Sequence, residues 1–157
     1  MDILSPDQRS ARMHLIRGSD TKPELAVRRL LHGLGYRYRL HAKDLPGKPD
    51  LVFRSRRKVV FVHGCFWHGH EECRMGRPPK SNLSFWLPKI NSNRERDNRV
   101  VRELCQLGYE SMIVWQCELA DTVALQKLLI CFLDSRSSQH ENEGLVRRSR
   151  AVSNQRR

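Results

Sequence analysis

Apolar residues recur every three or four positions in three segments of the chain, which is the spacing of helices that bury one face. The first helix is predicted to begin at Thr21, where Thr21 and Glu24 have the spacing of a capping box, and to stop at Gly35. The same pattern predicts helices over residues 92–107 and 121–132.

Four short segments have the pattern of β-strands. Residues 36–40 alternate strictly and predict a half-buried strand, while the apolar segments 51–53 and 58–63 flank a basic turn and predict a hairpin. A fourth strand is predicted at residues 112–115. This order of helices and strands predicts an α/β fold, with a mixed central sheet flanked by helices. Residues 64–90 have no clear period and are expected to form a functional or metal-organised loop.

The 157 residues carry 29 Lys and Arg against 17 Asp and Glu, a net charge of +12. Such an excess indicates an anionic partner, nucleic acid or a membrane surface. With neither a signal peptide nor a segment long enough to span a bilayer, we interpret the protein as cytosolic. Length predicts one folded domain at residues 21–134, preceded by a loose arm at residues 1–20. Residues 135–157 are basic, lack an apolar pattern and are expected to be a disordered tail.

Three cysteines and a histidine have the composition of a structural zinc site, with four protein ligands and no open position. Two further cysteines, Cys105 and Cys131, fall in helical apolar patterns and are expected in the core. The alternative for the four residues is a set of unrelated thiols in a loop and at a strand end. The predicted zinc ligands are Cys65, His70, Cys73 and Cys117.

Asp50 stands at the mouth of the predicted hairpin, where its carboxylate can bind a hard cation such as Mg²⁺, although most aspartates in such turns only form the turn. Glu24 is likewise explained by the capping box alone. This arrangement resembles the restriction-endonuclease-like nucleases, but the hairpin partner lacks their acid and lysine. A main-chain carbonyl near Val62 is then the second candidate ligand, and His68 is the candidate base for activating water.

Aromatic residues in the aperiodic segment are accompanied by basic ones, which favours contact with DNA over burial in the core. Core burial remains the alternative. The aromatic residues are Phe66, Trp67 and Trp86, and the basic residues are Arg74, Arg77, Lys80 and Lys89.

Five motifs together resemble the very short patch repair endonucleases of bacteria, in register from about Arg9 to Leu119. The motifs are Gly47-Lys48-Pro49-Asp50, His63-Gly64-Cys65-Phe66-Trp67-His68, Phe85-Trp86-Leu87, Glu95-Arg96-Asp97 and Ile113-Val114-Trp115-Gln116-Cys117. The resemblance implies a restriction-endonuclease-like core in residues 21–134 and Mg²⁺-dependent nicking of double-stranded DNA on the 5′ side of the T in a T:G mismatch. Such mismatches arise when 5-methylcytosine deaminates.

The resemblance also implies individual roles. Asp50 binds Mg²⁺, His68 activates the attacking water, and His63 lies near the scissile phosphate. Glu24 and Asp97 support the arrangement of the metal, its water and the histidine. Zinc is implied at the four ligands already named.

Further roles implied by the resemblance concern DNA. Phe66, Trp67 and Trp86 wedge into the base stack, and Met13 on the N-terminal arm enters from the minor-groove side. A monomer is expected, with mismatch-repair proteins as candidate further partners. The alternatives are a restriction or nicking enzyme without mismatch preference and a non-catalytic, zinc-stabilised DNA-binding module.

Two positions depart from the pattern of this family. Glu71 and Glu72 both stand between His70 and Cys73, where most members have one residue, so the loop is expected to bulge. Val62 stands where a hydroxyl residue is common. A valine is harmless there if only its carbonyl binds metal.

Overall fold

Three helices and a mixed sheet account for the computed structural model, which describes residues 5, 7–8, 11, 15, 18–136 and 147–148. Most of the predicted arm and tail, including Met13, lies outside the described residues. Within them no helix is both long and apolar enough to cross a membrane. The helices are α1 (Lys22–Gly33), α2 (Leu83–Gln106) and α3 (Thr122–Asp134). The strands are β1 (Arg39–Leu40), β2 (Leu51–Phe53), β3 (Lys58–His63), β4 (Glu110–Trp115) and β5 (Arg147–Arg148).

The strands lie in the sheet in the order of the sequence, from β1 to β5. β2 pairs antiparallel with both β1 and β3, which confirms the predicted hairpin. β3 then pairs parallel with β4 along its whole length, from Lys58 opposite Glu110 to His63 opposite Trp115. β4 pairs parallel with the two-residue β5. The sheet is therefore mixed, as predicted.

Every residue of β3 is buried, because apolar side chains pack on both faces of the sheet. Val60 and Val62 face the core made with α1 and α3, whereas Val59 and Phe61 face the core made with α2. Side chains alternate along a strand, so His63, at the end of β3, falls on the α2 face with Phe61.

Two predicted boundaries differ from the structure. α2 begins at Leu83 rather than at residue 92. The apolar pattern missed its first turns because Leu83, Phe85 and Leu87 are exposed and create no core-facing period. Of the strand predicted at residues 36–40, only Arg39 and Leu40 pair with β2. The predicted alternation holds for residues 36–39, since Tyr36 and Tyr38 pack against the core, but it is wrong for Leu40, which is 44% exposed.

The prediction that Cys105 and Cys131 lie in the core is wrong. Both thiols are exposed. Each follows or precedes a core-facing position on its helix, Leu104 on α2 and Phe132 on α3, and one step of about 100° turns a side chain away from the sheet.

Lys58 is a fully buried cation at the start of β3. Its Nζ donates to the carbonyl oxygens of Phe132 and Ser135, at 2.6 and 2.5 Å, and to the Ser135 hydroxyl at 2.8 Å. These carbonyls close the last turn of α3, where a helix has unpaired acceptors and a partial negative charge. Lys58 thus joins the sheet to α3.

Replacing Lys58 with Met is expected to lower the free energy of unfolding by about 3 kcal/mol, because buried acceptors lose a charged donor. Chemical denaturation measures this change. Lys127→Met, on the exposed side of α3, is the matched control and is expected to change the free energy by less than about 0.5 kcal/mol. Equal effects of the two substitutions would contradict the role of Lys58.

Candidate active site and metal centre

A cleft of about 1200 Å³ opens at the carboxyl end of β3. Residues next to β2 and on α2 also line it. It brings together groups from five separate parts of the chain, including all the residues predicted for catalysis and for Mg²⁺. These are Glu24, Asp50, Val62, His63, His68 and Asp97.

Asp50 is held at the edge of β3, where its Oδ2 accepts a hydrogen bond of 2.7 Å from the main-chain N–H of Val62. The N–H and C=O of one strand residue point to the same side of the strand, so the Val62 carbonyl is expected on the side of β3 where Asp50 lies. Burial is the main cause that raises the pKa of Asp50 to about 6; the Val62 N–H opposes the rise and the charge of Glu24 adds to it. A half-buried carboxylate and a main-chain oxygen on the same side of a strand are a donor set that suits a hard cation.

Glu24 lies in the N-terminal turn of α1 and is only 4% exposed. Its carboxylate accepts hydrogen bonds from the Asp20 N–H at 2.9 Å, from the Thr21 hydroxyl at 3.0 Å and from Arg28 at 3.1 Å. Arg28 also contacts Asp20 at 2.6 Å and the His41 Nε2 at 2.9 Å. The Asp20, Glu24 and His41 group thus already surrounds a cation, the guanidinium of Arg28.

His68 and Asp97 form a hydrogen-bonded pair, with Nδ1 of His68 2.5 Å from Oδ2 of Asp97. Burial works to raise the pKa of Asp97, but the hydrogen bond to His68 and the charges of nearby basic groups outweigh it, so the pKa is lowered. A carboxylate that stays ionised next to Nδ1 favours the tautomer with the proton on Nδ1. Nε2 of His68 is then left to accept a proton.

His63 stacks on His68, with ring centroids 3.7 Å apart and an interplanar angle of 13°. Burial, and next the charge of His68, lower the pKa of His63 to about 3. His63 is therefore neutral at physiological pH. Parallel imidazoles at this distance do not direct two lone pairs at one ion, so the His63, His68 and Asp97 group is suited to proton transfer rather than to chelation.

The four predicted zinc ligands converge beside this cleft, and their ligand atoms all lie within 4.8 Å of one another. Nδ1 of His70 is 3.4 Å from Sγ of Cys117, close to the edge of about 3.5 Å expected in a tetrahedron of N and S ligands around Zn²⁺. Burial, and then the neighbouring Cys65, raise the pKa of the Cys117 thiol to about 12. Three sulfurs and one imidazole around one point fit zinc, whose charge stabilises the thiolates.

The extra residue between His70 and Cys73 does not displace His70 from this cluster. Glu71 pairs with Arg94 of α2 at 2.7 Å, and the His70 ring stacks on Trp115 at 4.2 Å with an interplanar angle of 4°. Gly76 passes so close to His70 that a Cβ there would overlap the His70 main chain. The loop therefore accommodates two glutamates by turning Glu71 outward onto α2.

The three aromatic residues predicted to contact DNA form one cluster, although Trp86 is on α2 and the other two are in the loop after β3. Ring centroids are 5.2 Å apart for Phe66 and Trp67, and 5.0 Å apart for Phe66 and Trp86. All three are half-buried, and the adjacent Phe85 is 49% exposed. The alternative of core burial does not describe them.

Basic residues surround the opening of the cleft. Lys89, predicted from the sequence, lines it together with Lys43, Lys48 and Arg96, which the sequence analysis missed. Arg74, Arg77 and Lys80 are exposed on the loop but do not line the cleft. Lys43 and Lys48 were detectable in principle, since they flank the turn that ends in Asp50.

Further polar residues that support the site could not be recognised from the sequence pattern. Arg28 bonds to both Glu24 and His41, and Asn93 and Arg94 bind the main chain of the loop. One signal existed for Asn93: it precedes Asp97 by four residues on a helix and so lies on the same face.

The chain is similar in sequence to known proteins. The family model described as DNA mismatch endonuclease Vsr matches residues 1–74. The type II nicking enzyme V.XorIIP of Xanthomonas oryzae pv. oryzae is 56% identical over 133 residues, which cover 85% of this chain and 97% of that protein. The type II nicking enzyme V.NmeAIP of Neisseria meningitidis is 44% identical over 128 residues, 82% of this chain and 91% of that protein. The DNA mismatch endonuclease Vsr of Escherichia coli is 42% identical over 118 residues, 75% of each chain.

The Cys/His cluster yields a prediction about metal content. Purified protein is expected to hold about one zinc ion per chain, and Cys117→Ser is expected to lose it, because three ligands bind zinc far more weakly than four. Elemental analysis measures both. Cys105→Ser, at an exposed cysteine of α2, is the control and should keep its zinc. Full zinc content in Cys117→Ser would remove Cys117 from the site.

Proposed function

Because this chain belongs to the family of the DNA mismatch endonuclease Vsr, and is therefore a DNA endonuclease and phosphodiester hydrolase, we propose that it nicks T:G mismatches in duplex DNA on the 5′ side of the T. One observation carries the proposal: a metal-suited carboxylate, a histidine–aspartate pair and Trp67, one ring of the aromatic cluster, line one cleft together with basic residues. We expect a monomer that acts in the cytoplasm on deaminated 5-methylcytosine.

Asp50 and the Val62 carbonyl would hold Mg²⁺. Their oxygen donors and the raised pKa of Asp50 support this, because a cation offsets the cost of burying the carboxylate. Bound there, Mg²⁺ supplies charge stabilisation to the phosphate and to the leaving 3′ oxygen. Glu24, fixed by Arg28, keeps a second negative charge beside Asp50.

His68 would act as the general base. Asp97 holds the ring through Nδ1 and stabilises the imidazolium that forms when Nε2 takes a proton from water. His63 stays neutral and stacked on His68, so it adds no competing charge and can donate a hydrogen bond toward the phosphate. Attack in line with the leaving oxygen would invert the configuration at phosphorus.

The aromatic cluster would test the base stack. Inserting apolar side chains costs a few kcal/mol per unstacked step, and this cost is smallest at a mismatch. Half-buried rings of Phe66, Trp67 and Trp86 that support one another edge to face suit such an insertion. Lys43, Lys48, Lys89 and Arg96 would bind phosphates on either side.

Two of the relatives above are named type II nicking enzymes, a name that mentions no mismatch, and this motivates a second candidate, a nicking enzyme without mismatch preference. The same metal and histidine chemistry would serve it. The two candidates differ only in how matched DNA is treated. A non-catalytic module is disfavoured, because binding alone does not require the His68–Asp97 pair.

With Mg²⁺, the protein is expected to nick a T:G duplex in a CC(A/T)GG-like context faster than the matched duplex. Asp50→Ala is expected to lower the rate by at least about 100-fold, through loss of electrostatic stabilisation of the phosphate. His68→Ala is expected to lower it by about 100- to 10,000-fold, the range for a general base. Denaturing gels of end-labelled strands measure both.

Asp44→Ala is the matched control, since Asp44 is an exposed carboxylate paired with Arg54 and should leave the rate unchanged. Equal nicking of matched and T:G duplexes would overturn the mismatch preference and favour the second candidate. Undiminished cutting by Asp50→Ala would overturn the metal assignment.

A further prediction concerns the aromatic cluster. Trp86→Ala is expected to weaken binding to a T:G duplex by about 10-fold and binding to matched DNA by much less, since a stacked ring contributes about 1–3 kcal/mol. Fluorescence anisotropy with and without the mismatch measures this. Leu87→Ala, exposed on the same helix, is the control. Parallel losses on both duplexes would show that Trp86 contributes general affinity and not mismatch recognition.

A further inference from the structure

We propose that Asn93 and Arg94 of α2 are positioning residues for His68, holding the loop main chain on both sides of it; this inference rests on the proposed function for its catalytic consequence. Nδ2 of Asn93 donates to the carbonyl oxygen of Trp67 at 2.8 Å. Nη2 of Arg94 donates to the carbonyl oxygen of Gly69. The residues immediately before and after His68 are thereby fixed to one helix.

The three bonds come from one stripe of α2. Asp97 follows Asn93 by four residues and Arg94 by three, so its side chain is the neighbour of both on the surface of the helix. They bind three consecutive loop residues, with Asp97 on the His68 ring itself. One rigid element thus sets both the main-chain path and the ring orientation of His68.

The loop touches α2 directly at Gly69. A Cβ at this residue would lie 2.6 Å from Cγ2 of Ile90 and 2.9 Å from Nε of Arg94, and Gly69 has a φ of +59° that favours glycine. The loop main chain therefore lies directly against Ile90 and Arg94, with no room for a side chain between them.

Few apolar contacts fix the segment otherwise. Between the zinc ligands Cys65 and His70, the loop carries two half-buried aromatic rings, the half-buried His68 and a glycine. Its internal main-chain bonds run from the His68 N–H to the Gly64 oxygen at 3.2 Å, from the Gly69 N–H to the Phe66 oxygen at 3.3 Å and from the His70 N–H to the Cys65 oxygen at 2.9 Å. Asn93 and Arg94 supply the side-chain donors that anchor it from outside.

Arg94 has a second partner that extends this arrangement. It pairs with Glu71, one of the two residues between His70 and Cys73. The same guanidinium therefore holds the loop on both sides of the zinc ligand His70. Arg94 links the longer loop of this chain to the position of His68.

The test uses Asn93→Leu, which keeps the size of the side chain, and Arg94→Met, which keeps its aliphatic part. Each is expected to lower the single-turnover nicking rate on a T:G duplex by about 10-fold, since misplacing a reacting group by 1 Å can cost about 100-fold. The dissociation constant for DNA should change by less than about 3-fold. Arg94→Lys, which keeps one donor, should recover part of the rate.

A double-mutant cycle separates positioning from a general structural effect. In a His68→Ala background, Asn93→Leu and Arg94→Met are expected to cause no further loss, because there is no base left to misplace. An undiminished further loss in that background would overturn the proposal. The controls are Asn91→Leu and Arg102→Met, exposed on the same helix, and a rate loss equal to theirs would also overturn it.

Amide hydrogen exchange gives a readout without DNA. Exchange at His68 and His70 should speed up in Asn93→Leu and Arg94→Met but not in the controls, with zinc content unchanged. Unchanged exchange would overturn the positioning role. If the wild type nicks neither duplex while exchange responds as expected, the proposed function fails and the positioning of the loop stands.

Discussion

The complete burial of β3 is the constraint on which the site depends. Its six residues are buried between two cores, so the strand has one register and one facing. At its end, the Val62 N–H fixes Asp50 in the plane of the sheet, and His63 falls on the α2 face against His68. Two residues further on, Cys65 joins the metal cluster. A slip of one residue would exchange the faces of every one of these groups.

The two carboxylates Asp50 and Asp97 lie in opposite electrostatic environments. Asp50 is half-buried beside another acid, and its pKa is raised to about 6. Asp97 is next to His68 and its pKa is lowered. Carboxylates whose environments separate their pKa values in this way take different chemical roles. Asp97 stays charged to orient a base, while Asp50 gains from a cation.

Much of the fold could be predicted because local signals and burial agree. The capping box at Thr21 marks the start of α1, and the basic turn between β2 and β3 marks the hairpin. The start of α2 could not be predicted, because its first turns expose apolar side chains such as Phe85 and so lack helical periodicity. The roles of Asn93 and Arg94 could not be predicted for a related reason: polar side chains that bind main-chain oxygens leave no hydrophobic pattern.

The loop after β3 has to be fixed in position while its side chains stay accessible, and this requirement explains how the site is built. If Phe66 and Trp67 insert into DNA as proposed, their rings must stay accessible and cannot be fixed by full burial, which is how a core fixes its side chains. Their loop must be held by directional bonds instead. Cys65 and His70 of the Cys/His cluster bracket the half-buried segment, and hydrogen bonds from α2 hold its middle. Because these bonds act on the main chain, the side chains between them remain available to bind DNA.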